Sequence, residues 1–113
     1  MKGDLAVKFE DLLAKARKIA GKTDVSDVDF LAVQINITEP DGGVFYVEVK
    51  DHKVSVEPYE YYDRNCAITI SNADFLKFLD GDIDVGKAYD EGVIKVDGDL
   101  GKAAWFSDLL HRK

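Results

Sequence analysis

Leu5, Phe9, Leu12, Leu13, Ala16, Ile19 and Ala20 recur at three- and four-residue spacing, which predicts an amphipathic helix with one apolar face. Gly21 follows where a C-terminal cap is expected. The rhythm then changes. Leu31, Val33, Ile35 and Ile37 alternate with Ala32, Gln34, Asn36 and Thr38, the pattern of a half-buried strand. Pro40-Asp41-Gly42-Gly43 is turn chemistry, and Phe45, Val47 and Val49 then alternate on a second strand. Asp51-His52 makes a tight turn into a third strand with Val54 and Val56 inward, completing an antiparallel meander.

Cys66, Ile68 and Ile70 alternate as a fourth strand, and Ser71 with Asp74 begins the helix NADFLKFLD in the manner of a capping box. A short helix is expected around Val85–Tyr89, a fifth strand at Val93-Ile94-Lys95-Val96, and a final helix from an Asp99 cap to about Leu110. This succession predicts an α+β fold, with helices layered on one face of a sheet. No internal repeat or linker divides the chain, so residues 1–113 are read as one domain.

The composition, 46% hydrophobic and 33% charged, fits a soluble globular domain and excludes wholesale disorder. The N-terminus is too charged for a secretory signal, and no apolar run approaches the ~18 residues of a membrane span. Cys66, the single cysteine, cannot form an internal disulfide and points to a reducing, cytoplasmic setting. The net charge of −7 argues against nucleic acid as the main partner. Residues 1–22 carry six Lys/Arg against three Asp/Glu, so a basic first helix faces an acidic body. Internal charge complementarity explains that distribution, and a helix resting on anionic lipid is the sharper alternative.

Candidate chemistry is sparse. Asp80, Asp82, Asp84 and Glu91 match positions 1, 3, 5 and 12 of a calcium loop. Val85, however, stands where the turning glycine is needed, and GVIKV reads as a strand where the exiting helix belongs, so no metal is expected. His52 lies in a turn and His111 in the basic tail. No serine elbow or phosphate-binding glycine loop occurs, and Cys66 reads as a small buried hydrophobe. Tyr59, Tyr61 and Tyr62 are flanked by Glu57, Glu60 and Asp63, which repel phosphate; they are expected to cap a sheet end or rim a pocket mouth.

Apolar area in the last third exceeds what a surface helix needs. Leu100, Ala103, Ala104, Phe106 and Leu110 make one stripe, and Trp105 with Leu109 makes a second ridge. Phe75, Leu76, Phe78 and Leu79 crowd the preceding long helix. Such helices are either fully buried or wall an apolar cavity. In the second case Phe75, Leu79, Ile83, Tyr89, Leu100 and Ala104 are the expected lining, with Trp105 near its mouth.

Residues 30–110 resemble the sterol carrier protein 2 family. The matching pieces are Cys66-Ala67-Ile68-Thr69-Ile70, Asp74-Phe75-Leu76, Leu79-Asp80-Gly81-Asp82, Ala88-Tyr89-Asp90-Glu91-Gly92, Val93-Ile94-Lys95-Val96 and Asp97-Gly98-Asp99. The resemblance implies a five-stranded mixed sheet with helices on one face, enclosing an apolar tunnel for fatty acids, acyl-CoAs, sterols or other lipids. It implies no catalytic site and no cofactor, and it places Gly81, Gly92 and Gly98 at tight reversals. The expected function is non-enzymatic lipid binding or transfer. The alternative is an accessory module whose groove receives a partner protein or enzyme. Transient membrane contact and a homodimer are compatible with either. The tail Leu110-His111-Arg112-Lys113 is not a peroxisomal address. Asp82 and Asp84 make the short-helix loop acidic, which weakens the case for an acyl-CoA phosphate there.

Overall fold

The structure, a computed structural model, describes residues 8–40 and 42–111. Its elements are α1 (Phe9–Gly21), β1 (Phe30–Ile37), β2 (Val44–Lys50), β3 (Lys53–Glu57), β4 (Cys66–Ile70), α2 (Asn72–Asp80), α3 (Val85–Asp90), β5 (Lys95–Gly98) and α4 (Leu100–Leu110). The five strands form one mixed sheet in the order β3-β2-β1-β4-β5, with β1 and β4 parallel and the other neighbours antiparallel. Helices cover one face.

Local chemistry accounts for most boundaries. Ser71 caps α2 by accepting from Asp74 N at 3.1 Å, and the Glu39 carboxylate accepts from Asn72 N at 2.9 Å. Asp84 and Asp99 cap α3 and α4 in the same way, each accepting at 3.0 Å from the amide three residues on. Asp51 and His52 both have positive φ, 54° and 63°, as the two-residue hairpin between β2 and β3 requires.

Five expectations are corrected or fall outside the described residues. Leu5 and Asp41 lie outside them. Gly21 is not a left-handed cap: the helix ends through Lys22 at φ −98°, and Thr23 Oγ1 donates to Ile19 O at 3.0 Å instead. The last strand begins two residues late. Val93 N donates to Ala88 O at 2.9 Å, so the turn closing α3 consumes Val93 and Ile94 before sheet pairing begins at Lys95. Tyr61 does not cap a sheet end; it lies on the sheet face opposite the helices.

That face is covered by the connection from β3 to β4, which must cross β2 and β1. Tyr61 N donates to Gln34 Oε1 at 2.9 Å, and the Tyr61 hydroxyl donates to Glu48 at 2.6 Å. Its ring meets Tyr46 edge-on at 5.1 Å. Asn65 completes the crossing by bonding the Ala32 amide and carbonyl, both at 2.8 Å. Consequently β1 is buried on both faces along most of its length.

Between sheet and helices lies the core. A chain of phenylalanines runs through it, Phe9–Phe45–Phe75–Phe78–Phe106, with successive ring centroids 6.0, 5.5, 5.9 and 5.8 Å apart. On the β3 edge, Arg17 of α1 donates to Val56 O at 3.0 Å and pairs with Glu57 at 3.1 Å. With Lys15–Asp80 at 3.2 Å, this pair shows the basic first helix complementing the acidic body.

Candidate functional site

The apolar face of α1 ends at Ala20, and the chain then turns through Thr23 and Val25 across the sheet. There it meets Val47 and Val49 of β2, Val54 of β3, and Phe106, Leu109 and Leu110 from the end of α4. Thr23 is the one polar residue among these, and the space they enclose is about 10 Å³, room for roughly one water. The strand residues point inward because the alternation places Val47, Val49 and Val54 on the helix-facing side. Leu109 reaches the crevice because it follows Phe106 by one turn of α4, and both are buried.

A wider groove of about 650 Å³ adjoins this crevice at Leu110. It runs between the C-terminal ends of α2 and α4 and is lined by Asp80, Gly81, Ile83, Ser107, Asp108, Leu110 and His111. His111 ties the two helices together: its Nε2 donates to Phe78 O at 3.0 Å. The ring lies close over Gly81, whose φ of 83° and missing Cβ admit it. The sequence placed His111 in the basic tail after α4; folding brings it to the end of α2.

The six residues expected to line one cavity, and Trp105 expected near its mouth, are dispersed. Phe75 and Leu79 are core residues. Ile83 is half-buried and borders the groove. Tyr89 and Leu100 are exposed, at 42% and 36%. Ala104 and Trp105 pack against the edge of the core, with Lys102 Nζ 4.8 Å from the Trp105 ring. The apolar surplus on α2 and α4 fills the phenylalanine layer rather than walling a void there. The crevice draws instead on α1, β2 and β3, whose residues read as ordinary core positions. Of the apolar surplus noted on the last helix, Phe106, Leu109 and Leu110 reach it.

The side chains offer little to catalysis. Asp84 is occupied as a helix cap, and among the described residues no three His, Cys, Asp or Glu come together to hold a metal ion. Burial, with Asp99 nearby, pushes the Cys66 thiol up to about 11. The Tyr61 phenol is pushed up to about 12, chiefly by its hydrogen bond to Glu48 and then by burial. Both groups are thereby held protonated near neutral pH. Among the described residues, no helix is long and apolar enough to cross a membrane.

Comparison with known proteins converges on one family. Human Sterol carrier protein 2 is 33% identical over 63 residues, covering 56% of this chain but only 12% of that much longer protein. The palmitated SCP2L2 of Aedes aegypti superposes with a TM-score of 0.64 at 23% identity, covering 94% of this chain and 96% of that one. The sec-alkylsulfatase Pisa1 from Pseudomonas sp. contains the same fold as a part, with a TM-score of 0.71 at 13% identity over 80% of this chain and 15% of that one. At these identities the structural likenesses establish the fold alone. Membership rests on the sequence itself: residues 9–111 match the model of the SCP-2 sterol transfer family, and the chain belongs to that family.

Proposed function

We propose that this domain binds and transfers a single-chain or sterol-like lipid without catalysing a reaction. The ligand's apolar part would lie in the crevice between the end of α1, β2–β3 and the end of α4. The observation that carries this reading is the lining itself, eight apolar residues and one threonine converging from four segments of the chain onto the inner face of the sheet. Family membership supports the same ligand class, and the Aedes aegypti relative is described as palmitated.

The crevice of about 10 Å³ is far below the ~300–1,000 Å³ of ligand pockets, so binding requires the end of α4 to move away from the sheet. A chain passing Leu110 and Phe106 then meets Phe78 and Phe75, which gives Phe75 a contact role once the layer opens. Burying ~10–14 methylenes supplies roughly 8–11 kcal/mol gross at ~0.8 kcal/mol each. Ordering and association costs reduce that to micromolar affinity, suited to a reversible carrier. The buried, protonated Cys66 suits a reducing compartment such as the cytoplasm.

A second reading has one observation in its favour. The same fold occupies 15% of the sulfatase chain, so the domain can serve as an accessory to an enzyme. Native mass spectrometry of protein from its own host separates the two. Co-purified lipid supports the carrier reading, and a protein partner on lipid-free domain supports the accessory one. Val54→Trp, which fills the crevice from the sheet side, should weaken binding of a long-chain lipid more than tenfold while the domain stays folded. Undiminished binding by that variant would move the ligand elsewhere.

A further inference from the structure

The two edges of the sheet are guarded differently. At the β3 edge a side chain closes the strand: Arg17 Nε donates to Val56 O at 3.0 Å. At the other end, among the described residues, no strand pairs with the outer edge of β5. Its residues Lys95, Asp97 and Gly98 are exposed, and Val96 is half-buried.

The bond from Asp99 N to Asn65 O, at 3.0 Å, fixes which groups of β5 face outward. It makes the neighbouring partners Cys66 and Gly98 a pair that exchanges no hydrogen bond. In the alternating antiparallel ladder the bonded pairs are then Ala67 with Asp97 and Thr69 with Lys95. The N–H and C=O groups of Val96 and Gly98 therefore point away from β4.

A second copy of the same strand fits that edge. When two copies pair antiparallel about a two-fold axis at Val96, the two Val96 residues exchange both of their outward hydrogen bonds. The same axis sets Lys95 of each copy directly opposite Asp97 of the other, on the outer sheet face. That position carries no hydrogen bond between the strands, so the side chains come closest there. The Asp97 side chain is 87% exposed, and its contact with Arg64 is loose at 3.9 Å. Lys95 has no carboxylate partner among the described residues. An edge lysine alone would keep two copies apart; an aspartate two residues on turns that repulsion into two ion pairs. Exposed apolar side chains flank the strand, Val93 before it and Leu100 after it.

We propose that β5 is a self-association edge, through which two copies of this chain join their sheets into one continuous sheet. The pairing does not depend on lipid. The strand is short and each copy carries a net charge of −7, so the dimer is weak, with a Kd on the order of 10–100 µM.

Sedimentation equilibrium of the full chain from about 10 µM to about 1 mM should show monomer and dimer in exchange. By NMR hydrogen exchange, the Val96 amide should exchange about three- to fivefold more slowly at about 1 mM than at about 20 µM. Lys95→Glu should weaken association about tenfold, and adding Asp97→Lys to it should bring association back to within about threefold of wild type. Lys18→Glu makes the same charge change on α1, which packs at the β3 edge, and should move association less than about twofold. Circular dichroism checks that each variant is folded. A chain that stays monomeric at about 1 mM overturns the proposal. So does a dimer whose Val96 amide exchanges at one rate throughout, which would place the contact on another face. Lys95→Glu behaving like Lys18→Glu, or a charge swap that recovers nothing, overturns it as well.

Discussion

Phe106 stands where the core and the crevice meet, so truncating it to alanine tests both. Its ring is 1% exposed, lies 5.8 Å from Phe78 at the end of the phenylalanine chain, and forms part of the crevice wall. Removing it forfeits roughly 2–3 kcal/mol of transfer free energy. If roughly 70–90 Å³ stays unfilled, the cavity adds about 2 kcal/mol at ~24 cal/mol per Å³. The total of about 4–5 kcal/mol is comparable with the stability of many small domains, ~5–15 kcal/mol, so the variant should fold but only marginally. At roughly 4–5 °C per kcal/mol for a domain of about this size, its melting temperature should fall by about 16–25 °C. Urea unfolding followed by far-ultraviolet circular dichroism measures the loss. The enlarged crevice should still accept a lipid. A ligand at 100 times its Kd should then restore about 2.7 kcal/mol. A loss below about 1.5 kcal/mol would refute the packing argument. A normal loss with no recovery in the presence of bound lipid would refute the placement of the ligand beside Phe106.

Three further outcomes follow from other parts of the fold. Gly98 has φ 100°, and a Cβ there would lie 2.7 Å from Asn65 O. Gly98→Ala should therefore cost at least ~2 kcal/mol in chemical denaturation, and a cost under ~0.5 kcal/mol would contradict the close approach of β5 to Asn65. Because the folded Tyr61 phenol titrates near 12 instead of 10, its contribution to stability is complete below pH 10 and disappears as pH rises toward 12. Tyr61→Phe should flatten the fall in stability across that window, and an unchanged slope would rule out the Glu48 hydrogen bond as its cause. Cys66, 1% exposed and held protonated, should resist an aromatic disulfide reagent at pH 8 until the protein is unfolded; modification of native protein within minutes would show that β4 opens readily.

Local pattern alone determined the elements and most of their ends. The period of α2, its Ser71 cap, the Asp99 cap of α4 and the alternation of β2 through β4 are all written in residues within a few positions of one another. Such patterns report which face of each element is apolar. They cannot report which faces meet. Alternation marked one side of β1 as polar, yet Gln34 is 4% exposed because the crossing from β3 brings Tyr61 over it, 27 residues away in sequence. The start of β5 was likewise misplaced because the turn that closes α3 bonds Val93 to Ala88 before the strand can pair. The candidate site shows the same division. Apolar excess on α2 and α4 pointed to a cavity beside them, but close packing of Phe75, Phe78 and Phe106 absorbed that excess. The crevice formed where Ala20, Val49, Val54 and Leu109 converge from distant parts of the chain.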